Sequence, residues 1–595
     1  MKQFFKFMFA SCLGMLVFTI LAAVIGGVVV TKIAGNAQKA ENTKPNTILK
    51  VSLSDIIPER TNNVAINPYE LNTDDVIGLQ EMIDAIERAK TDDDIKGIYL
   101  ELANPQLGFA GMSVLRRAIE DFKSNDDNKF VIAYGDGYSQ KSYYLASVAD
   151  EIYMNPIGGV DFRGLSGTLL FFKDMLDRLG IDMQVFYVGD FKSATEPFRR
   201  TNMSDENRLQ VREYMESLYG VMLEDISKSR KISVKELRTI ANEYQLQEAK
   251  DAVRLKFVDK LLYKDEMLDL LKDKIGLDKT DEITAMSISA YNKANPKDKN
   301  FRSKSKIAVV YAEGSIVDGE GQNGEIGGDK YSRIIREIRQ DKKVKAIVLR
   351  VNSGGGSGFA SEKIWRELML AKEQGLPIIV SMGDVAASGG YYIAAPANKI
   401  LVEKNTITGS IGVFGVIPSM ADFLKNEIGI TTDTVKTGKF STGITPFYDV
   451  SEEEGQIIQN SVEEFYDLFL GRVAQGRNMD TAAVHKVAQG RVWTGQKAIE
   501  LGLADEVGDL AKAIEMAADE AGLSKFRTIE YPAIKDPIQQ LVEELTGKSD
   551  KKVQQASRAL IEEELGELYP YYEQMKEIRQ MKGVQARMPY TIEIK

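Results

Sequence analysis

A serine at position 388 stands in Ala387-Ser388-Gly389-Gly390, directly after the apolar run 378–380 and before a helical pattern over 391–395. A hydroxyl at a strand-to-helix turn with small neighbours can be approached by a carbonyl carbon. The helix N-terminus favours the negative charge that such an attack develops. The same four residues also suit a plain turn or helix cap. A second element, Asn352-Ser353-Gly354-Gly355-Gly356-Ser357-Gly358, follows the apolar run 344–351. Glycines there let backbone N–H groups turn inward, as an oxyanion hole requires. The lysine and Ser/Thr that close a phosphate-binding loop do not follow these glycines, which argues against phosphate chemistry.

A serine attacks poorly until a base takes its proton. The chain has one histidine, His485, in the helical stretch TAAVHKVAQ about 100 residues beyond Ser388, and nothing near it completes a triad. Lysine is the remaining candidate, as in Ser-Lys sites. An ordinary lysine, with a pKa of about 10.4, is protonated at neutral pH and must be desolvated to serve as a base. Lowering that pKa by about 3 units takes roughly 4 kcal/mol, within reach of burial alone. Lys192 ends the largely apolar stretch Val185-Phe186-Tyr187-Val188-Gly189-Asp190-Phe191-Lys192, which could bury it. A surface lysine paired with Asp190 or Glu196 is the other reading of that residue, and Lys439 is the rival base.

An internal duplication brings serine and lysine into one frame. Gly135, Asp136, Tyr143, Tyr144, Ala146, Ala149 and Ile152 match Gly383, Asp384, Tyr391, Tyr392, Ala394, Ala397 and Ile400 at a spacing of about 248 residues. Further on, GDFKSATEPF from Gly189 pairs with GKFSTGITPF from Gly438, the register having slipped by one. Ser388 of the second copy falls opposite Gln140, and Lys192 of the first falls opposite Ser441. At the glycine loop the first copy has Asn104-Pro105-Gln106-Leu107-Gly108, and proline has no N–H to donate. Each copy retains a different half, so the two halves imply one shared serine/lysine site. Self-similarity at this length is a doubled domain, not a solenoid with a period of roughly 20–50 residues.

The elements that must hold these residues alternate strand and helix. A strand at 47–53, a helix near 75–89, a strand at 95–102, a helix at 112–122 and a strand at 130–134 recur as 307–311, 331–339, 344–351, 361–373 and 378–381. That alternation predicts βαβ units and an α/β fold with a mostly parallel sheet. A chain of 595 residues is too long for one core. We divide it into an anchor (1–35), a tether (36–46), a first domain (47–289), a polar linker (290–306), a second domain (307–532) and a helical C-terminal tail (533–595), read as a solvated amphipathic helix. Residues 7–30 carry no charge and are long enough to span a bilayer core of about 30 Å as a helix. Lys2 and Lys6 favour a cytoplasmic N-terminus, which would leave the body on the extracytoplasmic side. The net charge of −11 and pI near 5.2 argue against a nucleic-acid partner. Cys12 is the one cysteine, so neither an intramolecular disulfide nor a cysteine-based metal site can form.

Four segments together carry a family resemblance: Asn352-Ser353-Gly354-Gly355-Gly356; Ala387-Ser388-Gly389-Gly390-Tyr391-Tyr392; Thr408-Gly409-Ser410-Ile411-Gly412; and Gly189-Asp190-Phe191-Lys192-Ser193-Ala194-Thr195-Glu196-Pro197-Phe198. They resemble the signal peptide peptidase A family in its long, duplicated, membrane-anchored bacterial form, and the resemblance covers nearly the whole chain. It implies a ClpP/crotonase-like fold in each half and a Ser/Lys dyad, with Ser388 as nucleophile and Lys192 as general base. Ser410 matches the residue that orients the lysine, and by position Gly356 and Gly389 offer the oxyanion its backbone N–H donors. The resemblance further implies a homotetramer on the bacterial inner membrane that degrades cleaved signal peptides and other apolar peptides. It implies no metal or organic cofactor. One departure is Gly354, where relatives often have proline. Two other readings stay open: a crotonase-type acyl-CoA hydratase or isomerase with the same fold and oxyanion loop, and a non-catalytic membrane scaffold.

Overall fold

The structure, a computed structural model, describes residues 42–53, 57–61, 76–103, 105–125, 128–296, 303–322, 324–533 and 583–588. The expected membrane anchor and most of the expected helical tail lie outside the described residues. Among the described residues no helix is long and apolar enough to cross a membrane.

The duplication is visible strand by strand. In the first copy, β1 (Thr47–Leu53), β2 (Ile95–Leu102), β3 (Phe130–Gly135) and β4 (Glu151–Met154) pair in parallel. The strand β5 (Asp182–Tyr187) leaves that sheet, while β6 (Lys260–Leu261) and β7 (Ala285–Ser287) close its two edges in the order β6-β4-β3-β2-β1-β7. The second copy opens with β8 (Lys306–Glu313), β9 (Ser315–Val317), β10 (Glu325–Gly327), β11 (Val344–Ser353) and β12 (Gly355–Ser357). It continues with β13 (Ile378–Ala387), β14 (Lys399–Val402), β15 (Ile407–Gly409), β16 (Phe414–Ser419), β17 (Val492–Thr494), β18 (Glu506–Val507) and β19 (Arg527–Tyr531). There β18, β14, β13, β11, β8 and β19 repeat the first copy's order.

These strands read as they do because both faces are covered. The β11 segment VKAIVLRVNS is apolar at most positions and almost wholly buried, the pattern of a parallel strand with helices above and below. Each copy also carries a 26-residue helix, Asp205–Arg230 and Glu452–Arg477. Both are capped by a serine, Ser204 or Ser451, and both end on a left-handed residue, Lys231 or Asn478.

Two features join the copies into one body. The third sheet, β10-β9-β12-β20-β16-β5, takes strands from both and from the chain's end, β20 (Gln585–Arg587). Ion pairs then cross the junction. Buried Arg350 holds Glu59 through two hydrogen bonds of 2.9 and 3.1 Å, and Arg117 holds Glu403 at 2.7 and 2.6 Å.

Two boundaries differ from the sequence reading. The predicted linker begins inside a helix, Ile288–Ala294, because Tyr291 is buried and donates to Asp92 at 2.9 Å. The tail is not a solvated helix throughout: residues 585–587 form a buried strand, since their backbone completes a sheet with β12 and β16.

Candidate active site

Ser388 follows β13 and caps the helix Gly389–Ala394. Its backbone, at φ 54° and ψ −117°, lies where a non-glycine residue is strained. The turn is held by Ser388 N–H donating to Gly409 O (2.8 Å) and by Tyr392 N–H donating to Ser388 O (2.8 Å). A Cβ on Gly390 would meet Ser353 O at 2.5 Å, so the small residues beside the serine are required by close backbone approach.

Lys192 reaches this turn from the first copy. The antiparallel pairing of β5 with β16, from Tyr187 opposite Phe414 to Asp182 opposite Ser419, carries the chain across the junction. The following loop is clamped between copies: Phe191 N–H donates to Gln489 O at 3.0 Å. Gln210 donates to Phe191 O (3.1 Å) and Ser193 Oγ (2.9 Å), while its carbonyl oxygen accepts from Val492 N–H (3.1 Å). Glycines make room for the lysine stem. A Cβ on Gly490 would lie 2.6 Å from Lys192 Cα, and one on Gly412 would lie 3.3 Å from its Cδ.

The Lys192 amine lies 3.0 Å from Ser388 Oγ, 3.1 Å from Ser410 O and 3.1 Å from Ser410 Oγ. All three residues are buried. Burial, with no carboxylate against the amine, pushes the Lys192 pKa well below the ordinary lysine value. A neutral amine has two N–H donors and one lone pair. The Ser410 carbonyl and hydroxyl can take both donors, which leaves the lone pair for the Ser388 hydroxyl.

Of the sequence candidates, Ser388, Lys192 and Ser410 therefore meet at hydrogen-bond distance. Gly356 and Gly389 flank them: a Cβ on Gly355 would lie 2.6 Å from Gly389 N, so the glycine loop abuts the start of the serine helix. Lys439 is not part of the site. It is exposed and pairs with Glu453, because the segment after Gly429 has no strand to carry it inward. His485 is exposed as well, with Nδ1 3.0 Å from the Tyr466 hydroxyl. Sequence reasoning missed Gln210. An amide in the second turn of a long helix gives no signal until β5 and the 489–492 segment are seen on either side of it.

A buried hydroxyl on a desolvated lysine amine, beside a glycine loop at a helix N-terminus, defines a serine hydrolase site. Residues 123–278 and 370–524 both match peptidase family S49, one match in each copy. The chain is 38% identical over 465 residues to Protease 4 of Haemophilus influenzae, covering 75% of this chain and 74% of that protein. It is 38% identical over 496 residues to Protease 4 of Salmonella typhi, covering 81% and 78%. To the chloroplastic serine protease SPPA of Arabidopsis thaliana it is 30% identical over 479 residues, covering 79% and 70%. A solved ClpP1 mutant from Listeria monocytogenes aligns with 35% of this chain and 94% of its own at 13% identity, with a TM-score of 0.24 that is too low to carry weight. The chain belongs to peptidase family S49 and is a serine peptidase.

Proposed function

We propose that the chain is a membrane-anchored endopeptidase of two ClpP/crotonase-like halves, with a Ser388/Lys192 dyad, that degrades cleaved signal peptides and other apolar peptides. The observation that carries the dyad is the 3.0 Å contact of Lys192 Nζ with Ser388 Oγ in a buried site. Neutral Lys192 takes the Ser388 proton as Oγ attacks a peptide carbonyl, and the N–H groups of Gly356 and Gly389 hold the oxyanion. Lys192 then gives its proton to the leaving amine. A water deprotonated by the same lysine releases the acyl group. Ser410 holds the amine from below by its carbonyl and hydroxyl. The crotonase-type reading is disfavoured because nothing in that chemistry requires a buried lysine on a strained serine, and the scaffold reading leaves the strain without a use.

Likeness to the putative signal peptide peptidase SppA of Enterococcus faecium, 37% identical over 234 residues, supports signal peptides as substrates. The uncharged run 7–30 supports an anchor in the bacterial inner membrane with the catalytic body outside the cytoplasm. The internal repeat supports assembly as a ring, which we take as a homotetramer. Within one chain β5 pairs with β16, but among the described residues their counterparts, near 431–436 and 166–171, form no strand, the first being exposed and the second half-exposed. Pairing those two segments between neighbouring copies would repeat the contact head to tail, the kind of contact from which rings are built when the rotation closes.

The decisive test is labelling with a fluorophosphonate probe alongside hydrolysis of apolar peptides. The wild type should label at Ser388 and turn over peptide. Lys192→Ala should lose both by at least about 10³-fold. Full peptidase activity in Lys192→Ala would refute the dyad.

A further inference from the structure

His485, the one histidine, stands outside the dyad but is joined to it through a tyrosine. Lys192 lies on a loop clamped by the turn 488–491, and the contacts run backbone to backbone. Phe191 N–H donates to Gln489 O at 3.0 Å. A Cβ on Gly189 would meet the Gln489 carbonyl carbon at 2.5 Å, and one on Gly490 would meet Lys192 Cα at 2.6 Å. The same turn also fixes the segment that carries Ser410. Gly490 N–H donates to Ile411 O (2.8 Å), and Ser410 N–H donates to Arg491 O (2.7 Å). The turn is not relaxed: Gln489 has φ +54° and Gly490 φ +78°, so a non-glycine residue is held in the left-handed region.

What holds it is the buried Tyr466 hydroxyl, which accepts from Gln489 N–H at 3.2 Å. The hydroxyl lies 3.0 Å from His485 Nδ1, with the two rings edge to face at 5.8 Å. An amide N–H can only donate, so the hydroxyl proton is left for the Nδ1 lone pair of a neutral imidazole. Burial pushes the Tyr466 pKa up to about 12, which keeps that proton in place. Donating to His485 polarises the hydroxyl and makes its oxygen the better acceptor for Gln489. A protonated imidazole has no lone pair at Nδ1 and must donate there instead. The tyrosine oxygen then faces two N–H groups, and its own proton loses its acceptor. His485 is exposed whereas Tyr466 and Lys192 are buried, so the histidine is where solvent pH meets this chain of contacts. The charged groups around the pair are Asp467 on the tyrosine's helix and Asp190 on the lysine loop, both acting on the hydroxyl. Asp480 and Lys486 flank the histidine on its own helix, and Arg491 is engaged with Phe191, Trp493 and Glu213.

The first copy has the tyrosine without its acceptor. Counted from the helix caps, Ser204 and Ser233 in the first copy and Ser451 and Asp480 in the second, Tyr219 answers to Tyr466 and Arg238 to His485. Arg238 lies over the Tyr219 ring at 5.1 Å and pairs with Glu216 at 3.1 Å. The Tyr219 hydroxyl is buried and, among the described residues, has no hydrogen-bond partner. The linked pair is therefore peculiar to the copy whose turn clamps the base.

Resting on the dyad proposed above, we propose that Tyr466 and His485 are positioning residues for the base. Neutral His485, through the tyrosine hydroxyl and the turn at Gln489 and Gly490, holds Lys192 against Ser388, and its protonation loosens that hold. Neither side chain touches the reacting atoms. Histidine suits the role, since its charge ordinarily changes between about pH 5 and 8. Turnover thus carries a second acid ionisation besides that of Lys192.

The test is kcat and KM for an apolar peptide across pH, on the full-length chain in detergent, with denaturation midpoints of the same samples. Tyr466→Phe should lose roughly 10- to 100-fold in kcat with KM within about twofold, the scale of a displaced catalytic group. His485→Asn keeps an amide oxygen that accepts from Tyr466 but takes up no proton. It should hold kcat within about twofold at alkaline pH and lose one ionisation from the acid limb of the profile. Tyr219→Phe, the first copy's equivalent, should alter neither kcat nor the profile. A Tyr466→Phe variant that lowers only the midpoint, with kcat per folded molecule and its pH profile unchanged, overturns the positioning role. So does a His485→Asn variant that retains the wild-type acid limb; both outcomes leave the dyad standing. A wild type that hydrolyses no peptide, or a fully active Lys192→Ala, overturns the dyad and this inference with it.

Discussion

At the same strand-to-helix turn the two copies hold opposite solutions. In the second copy Ser388 is strained, buried and bonded to a lysine. In the first, Ser139 caps the helix Gln140–Ala146 in a relaxed extended conformation, accepting from Ser142 N–H. Gln140, the counterpart of Ser388, turns its amide onto the neighbouring loop. Its Nε2 donates to Gly164 O (3.1 Å), and its Oε1 accepts from Arg163 N–H (3.1 Å) and Gly164 N–H (2.9 Å). A satisfied amide has replaced a strained hydroxyl. The glycine loops diverge in the same way. The second copy's loop pairs with an extended peptide strand. In the first, the start of helix Phe109–Ser124 receives Asp384 of the second copy, whose Oδ1 accepts from Gly111 N–H at 2.8 Å. The difference teaches that a lost oxyanion site can become a structural joint, because a helix N-terminus binds a carboxyl group as readily as a developing oxyanion.

If that contrast is correct, equivalent substitutions must have unequal effects. Ser388→Ala should lower kcat/KM on a peptide by about 10⁴-fold or more, whereas Gln140→Ala should leave it within about twofold. Gln140→Ala should instead cost about 1 kcal/mol of stability by leaving the half-buried Gly164 backbone without its amide partner, read as a lower denaturation midpoint. A large activity loss in Gln140→Ala would mean that the first copy's turn still takes part in catalysis.

The next largest separation is expected at the glycines. Gly355 has φ +97°, and its added Cβ would fall 2.1 Å from the oxygen of a strand lying in the cleft. Gly355→Ala should therefore cost at least about 10²-fold in kcat/KM, the scale of losing an oxyanion donor. Gly108→Ala would put a Cβ 2.2 Å from Asp384 Cγ. It should disturb docking of the copies, at about 1–3 kcal/mol for an overpacked contact, with kcat per folded molecule unchanged. Equal loss of activity from both would erase the distinction between cleft and joint.

Most of this contrast was legible in the chain. The apolar runs gave β1 and β2 at their observed limits, and the 248-residue register paired Ser388 with Gln140. Complementary loss of serine and lysine implied that the copies meet at the site. What the sequence hid is long-range. Lys192 is buried only because β5 pairs with β16 and because Gly490 and Gly412 leave space for its stem, and none of those contacts has a local pattern. Asp384 looked like a repeat residue, matching Asp136, until its contact with Gly111 gave it a separate role. The tail read as a solvated helix because its charged, helix-forming stretch outweighs the few residues, Gln585–Arg587, whose backbone completes a sheet.

A comparison read on stability separates two buried lysines. Lys129 of the first copy donates to three carbonyls, Ala89 O at 2.8 Å, Asp92 O at 2.7 Å and Ile95 O at 2.9 Å, which matches the three donors of an ammonium. Lys192 has one carbonyl and two hydroxyls, which suits an amine with a free lone pair. Lys129→Met should therefore strand acceptors and destabilise the fold by a few kcal/mol while kcat per folded molecule holds. Lys192→Met should abolish activity yet leave stability at neutral pH equal or higher, since it removes a desolvated amine for an apolar chain of similar length. The pH dependence follows with a definite sign. Because burial sets the Lys192 pKa below its unfolded value, the unfolded chain binds the extra proton between the two. The unfolding free energy then climbs with pH through that window, by at most about 1.4 kcal/mol per pH unit, and Lys192→Met should flatten the climb. Turnover should rise with pH through the lowered Lys192 pKa and level off above it, because only the neutral amine can accept the Ser388 proton. A pH–rate profile that is flat across that range, in a wild type whose stability still climbs, would leave the buried lysine as a packing residue and move the base elsewhere.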